Sequence, residues 1–89
     1  MINYKKVFLK FWDFTIADYI PCAYCSSPSV DIHHLVFKSQ GGKDEPNNLI
    51  ALCRYCHEKA HKDKNFNLYL KELHEINIKH KLSNAKRIH

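Results

Sequence analysis

The stretch Asp31–His61, DIHHLVFKSQGGKDEPNNLIALCRYCHEKAH, holds four of the chain's seven histidines and two of its four cysteines. Val30–Phe37 is a β-branched and apolar run long enough for one strand, with His33 and His34 in its middle. Ser39–Asn47 contains Gly41, Gly42, Asp44, Pro46 and Asn47, the composition of a loop, and Leu49–Leu52 can return as the short second strand of a hairpin. From Arg54 the pattern turns helical. His57 and His61 are then one turn apart on one face and aim two imidazoles at one point.

Working outward, Cys53 and Cys56 have an upstream counterpart in Cys22 and Cys25, delivered by Pro21 into a tight turn. Two C-x2-C pairs in a short chain mean two disulfides or one tetrathiolate zinc site. The loose zinc-ribbon spacing, and the lack of a secretory signal ahead of the first pair, select structural Zn2+ on Cys22, Cys25, Cys53 and Cys56 and an intracellular, cytoplasmic setting. At 89 residues the chain is expected to be one domain, 1–89, with a core too small to be comfortable without such a staple.

Tyr4–Ala17 places Val7, Phe8, Phe11, Trp12, Thr15 and Ile16 near helical spacing, predicting an N-terminal helix over 4–17 that packs on the metal core. Asn65 is expected to cap a C-terminal helix over 66–81, with Phe66, Tyr69, Leu70, Leu73 and Ile76 as its apolar stripe and Leu68 and Ile78 off it. Lys79, Lys81, Lys86 and Arg87 face no acid after Glu75, which predicts a frayed basic tail. His74, His80 and His89 read as surface residues without a role. The fold class is α+β. No apolar run spans a membrane, and a net charge of +5 fits a polyanion partner.

Hydrolysis of a phosphodiester needs a base, a cation against the charge on phosphorus, and stabilisation of the departing 3′ oxygen. Histidine suits the base because its ordinary pKa of about 6.5 leaves it largely neutral near pH 7 yet able to take a proton. His33, His57 and His61 are suited to hold the cation. Such an imidazole-rich site favours Zn2+, Ni2+ or Mn2+ over Mg2+, and Asp31 is a candidate oxygen behind the ligands. Adjacent residues of a regular strand face opposite ways, so His33 and His34 would share a site only across a strong twist or bulge. Arg54, Lys59, Lys62 and Lys64 surround the cluster and are candidates for DNA phosphate contacts.

His33-His34, Gly41-Gly42, Asn48-Leu49 and Cys53-Arg-Tyr-Cys56-His57 together resemble the HNH endonuclease family, over residues 20–62. The segment IPCAYCSSPSVDIHHL is similar to small phage and prophage members. The resemblance implies a ββα-metal core and a metal-dependent endodeoxyribonuclease that nicks or cleaves DNA, leaving 5′-phosphate and 3′-hydroxyl ends. It implies His34 as the general base and His33 and His57 on one divalent cation (Mg2+, Mn2+, Ni2+ or Zn2+). His61 resembles the extra ligand of members with a His-x3-His pair on the helix, such as nuclease colicins. Asn48 is expected to fix the loop that carries His34. A homodimer, or phage packaging or replication proteins, are candidate partners, in a host cytoplasm if phage-encoded. Two rival readings are a non-catalytic zinc-stapled nucleic-acid-binding or regulatory module, and an adaptor docking through its aromatic N-terminal helix.

Overall fold

The computed structural model describes the backbone of residues 3–87 and the side chains of residues 3–83. Helix α1 (Tyr4–Trp12) is followed by strands β1 (Asp31–His34) and β2 (Leu49–Leu52), then α2 (Arg54–Lys62) and α3 (Lys64–Arg87). The strands pair antiparallel without a break in register, Asp31 with Leu52 and His34 with Leu49. Strict alternation sends His33, Leu35, Ile50 and Leu52 to one face of the sheet and Ile32, His34, Leu49 and Ala51 to the other. The first face packs with Cys22, Cys56, Ala60, Phe66 and Leu70, the second with Phe8 of α1. Helices cover both sides of this two-stranded sheet, so all four residues of β2 are buried.

Helix α1 stops at Trp12, short of the expected 17. Asp13 takes a left-handed conformation (φ 60°), its N–H donating to Lys10 O and that of Phe14 to Leu9 O at 2.9 Å. This double reversal closes the helix, and Phe14 turns back to stack on Phe8 at 6.5 Å. Ile16, assigned to the stripe, is 95% exposed. No glycine marks the stop in sequence, because aspartate here accepts the conformation glycine usually supplies.

The hairpin loop is built from single 3-10 turns at Lys38–Gln40 and Pro46–Asn48, and it is held by backbone contact as much as by side chains. Gly42 N–H donates to Phe37 O, and a Cβ on Gly42 would fall 1.7 Å from Val36 O, so only glycine fits. Between α2 and α3 a single residue makes the corner. Asp63, rather than Asn65, caps α3: its Oδ1 accepts from the N–H groups of Asn65 (3.0 Å) and Phe66 (3.2 Å).

Helix α3 begins at Lys64 and continues to Arg87, so the tail expected to fray from 82 onward is helical. The side chains of Lys86 and Arg87, and all of His89, lie outside the described residues; Lys81 reaches Asp13 at 3.3 Å. The buried stripe of α3 is Phe66, Leu70 and His74, while Tyr69 and Ile76 are about half exposed. His74 is therefore a core residue, correcting its reading as a surface side chain: it is 2% exposed and its Nε2–H donates to Pro46 O at 2.8 Å. A histidine is invisible to an apolar-period count, yet one hydrogen bond to a loop carbonyl suffices to bury it. Among the described residues, no helix is long and apolar enough to cross a membrane.

Candidate metal centre

Two clusters of metal-ligating side chains flank the start of α2. The first gathers Cys22, Cys25, Cys53 and Cys56, whose sulfurs all lie within 4.8 Å of one another. Pro21 pairs with Pro28 across the first knuckle, and Ala23 N–H donates to Ala51 O, which ties that knuckle to β2. Cys53 caps α2, its sulfur accepting from Cys56 N–H at 3.5 Å. Sulfurs each roughly 2.3 Å from one tetrahedral zinc ion stand about 3.8 Å apart. Here Cys25 and Cys53 are 3.7 Å apart and Cys25 and Cys56 3.9 Å, which fits zinc and is far beyond a disulfide. The Ser27 hydroxyl and backbone hold the Cys25 thiol down to about 6, so it is a thiolate near neutrality, whereas burial pushes Cys56 up. A cation between them would offset that cost.

The second cluster joins His33 of β1 to His57 and His61 of α2, their ligand atoms also within 4.8 Å of one another. The rings form a triangle with centroid separations of 5.0, 5.3 and 4.9 Å. Asp31 and His33 share a sheet face, so the carboxylate behind the cluster comes from the same strand as His33. His57 Nδ1–H donates to Asp31 Oδ2 at 2.9 Å, with Arg54 3.4 Å from the same oxygen. His57 Nε2 is thereby left with its lone pair directed at His61 Nε2, 3.2 Å away. Two imidazole nitrogens roughly 2.0–2.1 Å from one ion stand about 2.9–3.4 Å apart, so this pair fits a shared cation. His33 is 1% exposed, and burial, with the neighbouring histidines adding to it, pushes its ring down to about 4. It is a neutral imidazole at neutral pH. His61 at the outer corner is exposed, which leaves the cluster open to solvent.

His34 points to the opposite sheet face, toward α1 and the loop. Its Nε2 lies 2.7 Å from Asp44 Oδ1, and the ring edge meets Tyr4 at 4.9 Å. The His34 ring, and then Lys38, hold the Asp44 carboxyl below the usual range, so Asp44 is a carboxylate that can only accept. The ring nitrogen facing it is the N–H, and Nδ1 carries the lone pair. No bulge is required for the two histidines to meet one space. Among the described residues β1 pairs on one side only, and a hollow of about 210 Å3 across its free edge is lined by Tyr4, Ile32, His33, His34, Phe37, Lys38, His57 and His61.

Asn48 is 9% exposed. Its Oδ1 accepts from Val36 N–H at 2.7 Å, and its Nδ2 donates to Val36 O at 3.1 Å and Lys43 O at 3.0 Å, clamping both ends of the loop between His34 and β2. Of the four basic residues singled out in the sequence, Lys62 and Lys64 line a second hollow beside His61 with Gln40 and Phe37. Lys59 instead lies over the Phe66 ring at 4.6 Å, and Arg54 turns to Asp31. Three neighbours of the site carried no signal that motif reading could use: Tyr4, Asp44 and Asn67. Asp44 looked like one more loop breaker, and the other two lie outside the motif.

This arrangement has a counterpart among known proteins. Residues 22–63 match the HNH endonuclease family. The HNH segment runs from Cys22, the first cysteine of the four-sulfur cluster, to the cap of α3 and encloses both clusters, His34 and Asn48. Over 39 residues the chain is 41% identical to the type IV methyl-directed restriction enzyme EcoKMcrA of Escherichia coli strain K12. That alignment takes in 44% of this chain and only 14% of the relative's length. Helices α1 and α3 lie entirely outside the HNH segment, yet both supply groups that border the site.

Proposed function

We propose that this chain is a metal-dependent HNH endonuclease that hydrolyses DNA phosphodiester bonds, with His34 as the base that activates water. The observation that carries the reading is the convergence, on one solvent-open hollow, of three imidazoles suited to one cation and a fourth imidazole outside that cluster whose lone pair is left free by Asp44. The match to the HNH family, and a relative named as a restriction enzyme, support DNA as the substrate.

In this mechanism His34 Nδ1 takes a proton from water in line with the scissile bond while Asp44 holds the ring and stabilises the imidazolium that forms. His33, His57 and His61 would hold a divalent cation, which would supply positive charge against the phosphorus oxygens and the departing 3′ oxygen. Asn48 keeps the loop, and so Asp44, in register with His34. Lys62 and Lys64 hold phosphates flanking the cut, and the products carry 5′-phosphate and 3′-hydroxyl ends. Cys22, Cys25, Cys53 and Cys56 hold a structural zinc ion.

The test is conversion of supercoiled plasmid to nicked and linear forms across Mg2+, Mn2+, Ni2+ and Zn2+. Cutting that depends on added metal and falls by about 10²–10⁴-fold in His34→Ala is expected from loss of a general base. Failure to cut with any of the four metals, in folded protein that binds the plasmid, would overturn the nuclease.

A further inference from the structure

We infer that Asn67, from helix α3 and beyond the HNH segment, is a positioning residue that locks His33 with its proton on Nε2 and so presents Nδ1 to the cation. The inference rests on the proposal that the histidine cluster is a cation site.

The argument is one of donors and acceptors. Asn67 Nδ2 lies 2.9 Å from Leu35 O, and a peptide carbonyl can only accept, so the amide edge on that side is the NH2 group. The opposite edge, Oδ1, can itself only accept, and it lies 2.8 Å from His33 Nε2. That ring nitrogen must be the donor. His33 is 1% exposed, so moving the proton to Nδ1 would bury two acceptors, Nε2 and Asn67 Oδ1, face to face without a proton between them. The lone pair is confined to Nδ1, the nitrogen available to a metal.

The same logic runs through the other two ring contacts of the site, which use carboxylates. Asp31 fixes the proton of His57 on Nδ1, and Asp44 that of His34 on Nε2. Asn67 differs in being neutral and in having its second hydrogen bond to Leu35, just past the strand that carries His33. Its own position is set by the Asp63 corner, since Asn67 N–H donates to Asp63 O at 3.1 Å. Helix α3 is thereby a component of the metal centre.

Two measurements without DNA test this. In zinc-loaded protein, long-range proton–nitrogen NMR correlations of His33 should show Nε2 protonated, and filling the histidine cluster with Zn2+ should shift Nδ1 as the ligand nitrogen. Calorimetric titration with Ni2+ should show affinity at that cluster reduced about 10–100-fold in Asn67→Leu, the usual cost of losing such a partner. Asn67→Asp, which keeps an acceptor before Nε2 but sets its second carboxylate oxygen against Leu35 O and adds a charge, should bind Ni2+ more tightly than Asn67→Leu. A His33 protonated on Nδ1, zinc ligation through Nε2, or unchanged Ni2+ affinity in Asn67→Leu would each overturn the role of Asn67. Should Asn67→Leu not fold, the tautomer of the parent decides alone. Protein that passes both measurements but never cuts DNA overturns the nuclease and leaves this inference standing.

Discussion

At the scale of single residues, the site is governed by which ring nitrogen holds a proton, and each assignment follows from an acceptor that has no proton to give. The same reasoning gives His74 a consequence for stability. Burial lowers its pKa from 6.5, only partly opposed by the Pro46 carbonyl and by Glu75. The unfolded chain then binds a proton that the folded chain refuses, so stability is full above about pH 6.5 and falls as pH drops toward the lower folded value. One such group sets a slope of at most about 1.4 kcal/mol per pH unit. Urea unfolding of zinc-loaded protein between pH 7.5 and 5.5 should show His74→Gln with a shallower pH dependence than the parent. An equal slope in both would remove His74 as a source.

At the scale of elements, the corner at Asp63 is where secondary structure and site meet. Its carboxylate caps α3, and its carbonyl accepts from Asn67. Asp63→Ala should cost about 1 kcal/mol in thermal or urea unfolding, the usual value for a lost N-cap. If the corner also places Asn67, Ni2+ affinity of the histidine cluster should fall in the same variant by more than the change in stability explains. The hairpin loop gives a contrasting case. Gly41, Gly42 and Asn48 were legible as loop and motif, but only the fold revealed that Gly42 lies against Val36 O and that Asn48 bonds both Val36 and Lys43.

At the scale of the whole molecule, a two-stranded sheet cannot stand alone, and it is held by helices on both faces and by the cysteine cluster at the root of α2. If the cluster holds the proposed zinc ion, removing it with a strong chelator should unfold the domain, read as loss of helical circular dichroism that returns on adding Zn2+. A chain that keeps its helicity without zinc would show that the apolar faces suffice. The formal charge of +5, with Lys62 and Lys64 beside the site, predicts DNA affinity that falls linearly in log–log terms with salt. Lys62→Ala should reduce the magnitude of that slope by about 1 and weaken binding similarly on unrelated sequences.

The sequence by itself determined the α+β class, the hairpin and its loop, the paired cysteines, and the His57 and His61 pair, because each depends on spacing within a few residues or on chemistry that few residue types can perform. Tertiary structure alone decided where α1 stops, that Asp63 begins α3, that His74 is core, and that Asp44 and Asn67 hold His34 and His33. The reason is physical. A left-handed cap on aspartate, a buried histidine and an amide that orients a ring are each tolerated only because a partner from elsewhere in the chain supplies one hydrogen bond, and such partners leave no periodicity to read. The strand showed the same limit: regular alternation put His33 and His34 on opposite faces, and it took a free sheet edge with a helix on each side to bring both rings to one hollow.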